Sequence, residues 1–163
     1  GGAPLCDACP WGSLCVARRE DTWPTIPLLP EKKPRRVEER TVLLLAAGGK
    51  LLLSRRPAKG LLAGLPEPLN LEGCREPEQV AARVEEMGGR AWELHRLGKA
   101  THIFSHVEWR MEGFTACSPP FDPPPGFFWA TAADLKETVA LPSAFRAFLG
   151  EVEALLQNSL PQG

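Results

Sequence analysis

Two stretches of this 163-residue chain concentrate side chains that can do chemistry. The first is Thr101-His102-Ile103-Phe104-Ser105-His106-Val107-Glu108-Trp109-Arg110-Met111, which holds two of the three histidines. Hydroxyl and imidazole groups both donate and accept hydrogen bonds, so this stretch is suited to reading a polar partner. From Ile103 the odd positions Val107, Trp109 and Met111 are apolar, and the even positions His102, His106, Glu108 and Arg110 are polar. That is the period of a half-buried strand. Ser105 breaks it by putting a hydroxyl on the apolar side, and Phe104 breaks it by putting a ring on the polar side. Either the strand begins after His106 and Phe104-Ser105-His106 form a loop, or a phenyl ring stands on a solvated surface. Both alternatives present the tripeptide to a partner, with His102 and His106 either bonding phosphate or holding the loop.

The second stretch is Cys6-Asp7-Ala8-Cys9-Pro10-Trp11-Gly12-Ser13-Leu14-Cys15, with the spacing Cys-x2-Cys-x5-Cys. Thiolates this close can converge on one soft metal or on an iron–sulfur cluster. Three ligands are one short of a full set, and the nearest histidine, His95, is far along the chain, which argues against a local zinc finger. The competing reading is three free thiols on a loop.

The elements that must position these residues follow from pattern. Thr41–Ala47 and Lys50–Arg56 are β-rich runs joined at Gly48-Gly49, a hairpin signal, and their near-continuous apolarity predicts cover on both faces. Gly60-Leu61-Leu62-Ala63-Gly64-Leu65-Pro66-Glu67-Pro68 cannot be a regular helix and exposes backbone between two glycines. A helix follows Pro77, with Val80, Ala81, Val84 and Met87 on one face and Gly88-Gly89 as its stop. Strands are expected over 92–98, 103–111 and 113–117, the last two as a hairpin, and Phe127-Phe128-Trp129 is a further short strand. Thr131 is the N-cap of a short helix through Leu135. A last helix from Pro142-Ser143 carries the apolar stripe Phe145, Phe148, Leu149, Val152, Leu155 and Leu156. The order predicts an α/β (α+β) fold, a mixed β-sheet sandwiched between helices.

Before that domain, residues 16–40 carry Pro24, Pro27, Pro30 and Pro34 among Lys32, Lys33, Arg35, Arg36 and Arg40, which reads as a stiff, extended, basic connector. The expected organisation is therefore a cysteine loop over 1–15, the connector over 16–40 and a globular domain over 41–158. Charge divides along the same line, with a net +5 over residues 1–60 and −6 over the rest. A basic leading segment suits a polyanion such as DNA, or is simply a solvated linker. No apolar run approaches the roughly 18 residues of a membrane span, so no membrane partner is expected. The first residues lack a basic start followed by an apolar block, so a reducing compartment is expected, in which clustered cysteines bind metal more readily than they pair.

The cysteine spacing resembles the last three ligands of the Cys-x6-Cys-x2-Cys-x5-Cys loop of the helix-hairpin-helix DNA glycosylases. The resemblance implies a [4Fe–4S] cluster held in part by Cys6, Cys9 and Cys15, with the first cysteine of the set falling before Gly1. The element order resembles the Nudix fold, whose hydrolases hold Mg²⁺ or Mn²⁺ on the carboxylates of Gly-x5-Glu-x7-Arg-Glu-apolar-x-Glu-Glu-x-Gly-apolar. Here Glu85, Glu86 and Gly88 match. Ala81 and Ala82 replace the arginine and glutamate, Arg83 takes an apolar position, Glu67 the first glycine's and Gly73 the first glutamate's. No Mg²⁺ is expected, although a pyrophosphohydrolase of a nucleoside diphosphate derivative is the alternative reading.

The resemblance that covers nearly the whole chain is to the C-terminal, Nudix-like domain of MutY-type adenine DNA glycosylases. It is carried by the cysteine loop, by Gly60-Leu61-Leu62-Ala63-Gly64-Leu65 after Arg55-Arg56-Pro57, and by His102-Ile103-Phe104-Ser105-His106. The last is similar to the family's His-x-Phe-Ser-His loop. Where the family continues with Trp-Glu-Phe-Pro, this chain has Pro66-Glu67-Pro68-Leu69. The resemblance implies a lesion-recognition domain for double-stranded DNA containing 8-oxoguanine opposite adenine. Ser105 would contact the oxidised base, Phe104 would act as a wedge, and His106 and His102 would assist. It also implies a monomer, a partner helix-hairpin-helix domain that performs the excision, no catalytic residue in this chain, and a location that is cytoplasmic (nucleoid) in a bacterium and nuclear or mitochondrial in a eukaryote.

Overall fold

The computed structural model describes residues 4–22 and 34–160, and it divides into two units, 1–34 and 35–163. The first unit holds a 3₁₀ turn at Cys6–Ala8 and a single helical turn, α1 (Val16–Arg19). This turn lies within the range expected to be extended, and it forms because it precedes the first proline. The connector's Pro24, Pro27, Pro30, Lys32 and Lys33 lie outside the described residues.

The second unit is built on β1 (Arg36–Ala47), β2 (Lys50–Arg55), β3 (Pro66–Glu67), β4 (Leu69–Glu72), β5 (Trp92–Ile103), β6 (Val107–Cys117) and β7 (Phe127–Thr131). Its helices are α2 (Pro77–Glu86), α3 (Ala132–Glu137), α4 (Arg146–Leu149) and α5 (Val152–Asn158). The sheet order is β3-β2-β1-β6-β5, with β4 also on β1 and β7 on β2. β1 and β6 run parallel from Arg36↔Val107 to Ala46↔Cys117, and the other pairs are antiparallel. β1 starts at Arg36, so Arg36–Arg40, read in sequence as connector, belong to the sheet.

Alternation along β1 divides the core in two. Val42, Leu44 and Ala46 pack with Trp109 and Met111 under Phe145, Phe148, Val152, Leu155 and Leu156 of the C-terminal segment. Leu43 and Leu45 pack with Phe114 and Ala116 against Val80, Val84 and Met87 of α2 and its end. The continuous apolar run of β1 thus has cover on both faces, as its composition required. α2 begins with Pro77 in its first turn and a capping box between Glu76 and Gln79. α3 is capped by Thr131, which exchanges hydrogen bonds with Asp134.

The expected hairpin between 103–111 and 113–117 does not exist. β6 is one strand through both, and its true hairpin partner is β5, with the reversal at Phe104–His106. Gly113 is there for close approach: a Cβ built on it would lie 2.5 Å from Phe148 Cδ1. Gly98, read as the end of a strand, is a bulge residue at φ +111° where the β5–β6 register shifts between Arg96 and Gly98. The single C-terminal helix is likewise broken, into a 3₁₀ turn at Ser143–Phe145 followed by α4 and α5. Its apolar stripe is nonetheless buried, apart from Leu149, which is half-buried.

Candidate nucleic-acid interface

The reversal Phe104-Ser105-His106 resolves the broken parity in favour of a loop. Phe104 N–H closes it by donating to Val107 O at 2.8 Å, and Arg36 N–H at the head of β1 donates to His106 O at 3.1 Å. Ser105 and His106 are exposed, and among the described residues the Ser105 hydroxyl has no hydrogen-bond partner. Phe104 does not point into solvent. Its ring meets the Trp109 ring edge-on at 5.0 Å and the His102 ring at 4.7 Å. His102 is brought there by pairing directly with Trp109 across the β5–β6 ladder.

Trp109 is fully buried and is the platform of this cluster. The guanidinium groups of Arg40 and Arg56 both lie over its ring, 5.2 Å from the centroid. Its indole N–H donates to Glu38 Oε2 at 3.1 Å. Glu38 also accepts from Arg40 at 2.6 Å and from Arg36. Those bonds, led by the one from Arg40, hold the Glu38 carboxyl below the usual glutamate range.

Arg56 joins this platform to the second segment singled out in sequence. Its Nε donates to Leu61 O at 2.7 Å, and its Nη1 donates to Glu67 Oε2 at 2.8 Å. Asn70 donates to the same Glu67 oxygen at 2.8 Å. Leu61, Leu62 and Phe104 pack on one core cluster. Arg56, which bonds the loop that follows it, and Phe104, some forty residues further along the chain, therefore both lie on the Trp109 indole. Sequence reasoning found both segments but missed Arg40, Glu38 and Trp109 as the parts between them. The signal was available in the charged alternation Arg36, Glu38, Arg40 at the head of an otherwise apolar strand.

The residues at Nudix-box positions are engaged differently from metal ligands. Glu67 is buried beneath Arg56 and Asn70, and Glu86 accepts from Arg83 at 2.9 Å. Among the described residues, no three His, Cys, Asp or Glu side chains gather into a set that could hold a metal. This includes Cys6, Cys9 and Cys15, which are free thiols, Cys9 the most exposed of them. Together they supply three of the four thiolates that a four-cysteine cluster takes. What the loop does show is an ordered turn, with Arg18 donating to Cys6 O and to Asp7, each at 2.8 Å. Among the described residues no helix is long and apolar enough to cross a membrane.

A mixed sheet covered by α2 on one face and by the C-terminal helices on the other, with degraded carboxylate positions on α2, defines the class. Residues 40–151 match the family model described as the NUDIX domain, and the chain belongs to that family. Within it, the chain resembles the C-terminal domain of adenine DNA glycosylases. It is 26% identical to the human adenine DNA glycosylase over 208 aligned positions, which cover 91% of this chain and 38% of that protein. It thus spans well under half the length of that relative.

The solved structures agree on the fold. The C-terminal domain of mouse MUTYH, determined in complex with human PCNA, is 21% identical with a TM-score of 0.57, covering 77% of this chain and 93% of that one. A MutT protein from Methanosarcina mazei Go1 is 15% identical with a TM-score of 0.55, covering 74% and 95%. A MutT NUDIX hydrolase from Burkholderia pseudomallei is 16% identical with a TM-score of 0.53, covering 69% and 96%.

Proposed function

We propose that this chain is the lesion-recognition domain of an adenine DNA glycosylase, reading 8-oxoguanine opposite adenine in duplex DNA. The observation that carries this reading is the convergence of the two family-like segments on Trp109, which puts an exposed hydroxyl, an aromatic ring and two imidazoles on one edge of the sheet. Oxidation at C8 converts guanine N7 from acceptor to donor and adds an acceptor at O8. The Ser105 hydroxyl can serve either atom, and the neighbouring backbone N–H groups fix which one it serves. Phe104, released from Trp109, is the wedge beside the base, and unstacking a base step is offset by the protein surface that the bent duplex wraps. His102 and His106 contact the flanking phosphate or hold the loop.

Excision belongs to the helix-hairpin-helix domain that precedes the cysteine loop in such enzymes. Cys6, Cys9 and Cys15 are three of the four ligands that a [4Fe–4S] cluster there takes. The test joins this chain to its catalytic domain and compares adenine release from 8-oxoguanine:adenine and guanine:adenine duplexes. Ser105→Ala and Phe104→Ala each lower the ratio of the two rates, and an unchanged ratio in both variants refutes the assignment. Mg²⁺-dependent release of phosphate or pyrophosphate from a nucleotide by this chain would restore the hydrolase reading.

A further inference from the structure

The connection between β6 and β7 is a proline strip fastened along one edge to the fold. In Pro119-Pro120-Phe121-Asp122-Pro123-Pro124-Pro125, every residue except Phe121 and Asp122 is proline. Proline fixes φ at about −65° and pushes the residue before it into extended backbone, so this composition favours polyproline II, a helix with about three residues per turn. Its prolines have no N–H to add to a sheet, and the segment lies outside every strand and helix.

Burial and hydrogen bonding along the segment follow that period of three. Ser118, Phe121 and Pro124 face the fold. Ser118 is buried and its N–H donates to Ala46 O at 2.9 Å. Phe121 O accepts from the Trp129 indole N–H at 3.1 Å, and the Phe121 ring meets the Trp129 ring edge-on at 5.3 Å. The same ring lies over Gly89, where a Cβ would come 2.6 Å from Phe121 Cε1. Pro124 O accepts from Phe127 N–H at 3.1 Å.

The positions between these form two outward ridges, Pro120 with Pro123 and Asp122 with Pro125. Pro120, Asp122 and Pro125 are exposed, and Pro123 is half-buried. Pro119, at the root of the second ridge, has its carbonyl closed by the Ser118 hydroxyl at 2.9 Å. Among the described residues, the carbonyls of Pro120, Asp122, Pro123 and Pro125 have no donor, and the Asp122 carboxylate has no ion pair. The inward edge is thus consumed by the fold, and the acceptors of both ridges are free.

We infer that this strip is a docking site for a partner domain that reads polyproline through an aromatic-lined groove. Such grooves take prolines spaced as Pro120-x-x-Pro123, and their indole N–H and phenol O–H groups donate to free carbonyls. Because Ser118, Phe121 and Pro124 already hold the segment, docking loses little ordering entropy. Asp122 beside the pair selects a groove flanked by Lys or Arg. Phe121 packs with the Leu43 core on the α2 side of β1, whereas Phe104 packs with the Val42 core. A domain on the strip and a partner at the Phe104–His106 reversal therefore engage different sides of β1, and the inference does not rest on what that reversal reads.

The probe is a set of purified SH3 and WW domains titrated into the full chain and followed by NMR. At least one is expected to saturate, shifting the Asp122 and Gly126 amides and the Trp129 indole signal. Pro120→Ala combined with Pro123→Ala should weaken that binding about tenfold. Asp122→Lys, at an exposed position without a partner, should weaken it several-fold while leaving the thermal melt unchanged. Saturation by none of the domains, or an Asp122→Lys variant that titrates like the parent, overturns the site.

Two controls fix where the domain sits. Prolines also occur in the connector at Pro24, Pro27 and Pro30. Binding that is lost in Pro27→Ala, Pro30→Ala and kept in the strip variants would assign the domain to the connector and end the inference. Strip variants should bind an 8-oxoguanine:adenine duplex as the parent does. Weakened duplex binding in place of weakened domain binding would make the strip a DNA contact, which equally ends it.

Discussion

Replacing Phe104 by alanine tests whether the ring serves two states, one folded against Trp109 and one inserted in DNA. In the free protein the ring is half-buried. Full burial of a phenylalanine contributes about 1.5–3 kcal/mol, so half-burial contributes about 1 kcal/mol. The edge-on contact with Trp109 at 5.0 Å adds about 1 kcal/mol beyond area. Phe104→Ala should therefore cost the chain roughly 2 kcal/mol in urea unfolding, whereas Ser105→Ala, exposed and without a partner, should stay within about 0.5 kcal/mol of the parent.

The same packing opposes insertion. A ring that leaves Trp109 for the duplex gives up those contacts, and stacking on a base returns about 1–3 kcal/mol. The net gain is then at most about 1 kcal/mol, or about a fivefold change in affinity, measured by anisotropy with an 8-oxoguanine:adenine duplex. A Phe104→Ala variant that is as stable as the parent would refute the packing argument. One that loses stability but binds DNA as tightly as the parent would confine Phe104 to packing and remove the wedge.

Two further outcomes follow from the geometry. Gly113→Ala places a methyl 2.5 Å from Phe148 Cδ1 and should lower stability by about 1–3 kcal/mol in thermal melts, whereas the same change at Gly150, which has open space and a helical φ of −60°, should cost little. Glu38 has its carboxyl held below the usual range, chiefly by Arg40, so the stability it contributes is present above its unfolded pKa of about 4.3 and is lost as pH falls through the lower folded value. Melts from pH 7 to pH 3 should show an acid limb that Glu38→Gln flattens, and an unchanged limb would mean that the Arg40–Glu38–Trp109 network contributes nothing net.

Much of the fold was legible because period and punctuation agreed. The Gly48-Gly49 hairpin, the helix after Pro77, the Thr131 cap and the buried C-terminal stripe each had two independent signals. The failures share one cause, which is that glycine carries several meanings. At Gly48 and Gly49 positive φ makes a turn, at Gly98 it makes a bulge inside a strand, and at Gly113 the missing Cβ makes room for Phe148. Only a tertiary neighbour distinguishes these, so the strands around Gly98 and Gly113 were cut where they should have run on. The start of β1 was missed for a similar reason. Arg36, Glu38 and Arg40 read as a solvated charge run, because the partner that orders them, Trp109, lies on a strand about seventy residues away.

The placement of these residues also accounts for how a Nudix sheet can lose its carboxylates without losing its form. α2 packs through Val80 and Val84 on the Leu43 and Leu45 face, and that packing makes no use of the box positions Ala81, Ala82, Glu85 and Glu86. The Trp109 cluster stands on the other side of β1, where Glu38 and Arg40 share the face of Val42 and Leu44 and meet Trp109. The box positions of α2 and the Trp109 cluster therefore lie on opposite sides of one strand. Substitution on the first leaves the second intact, whereas Trp109→Ala should remove the surface on which Arg56 and Phe104 rest and cost about 3–5 kcal/mol as a fully buried aromatic.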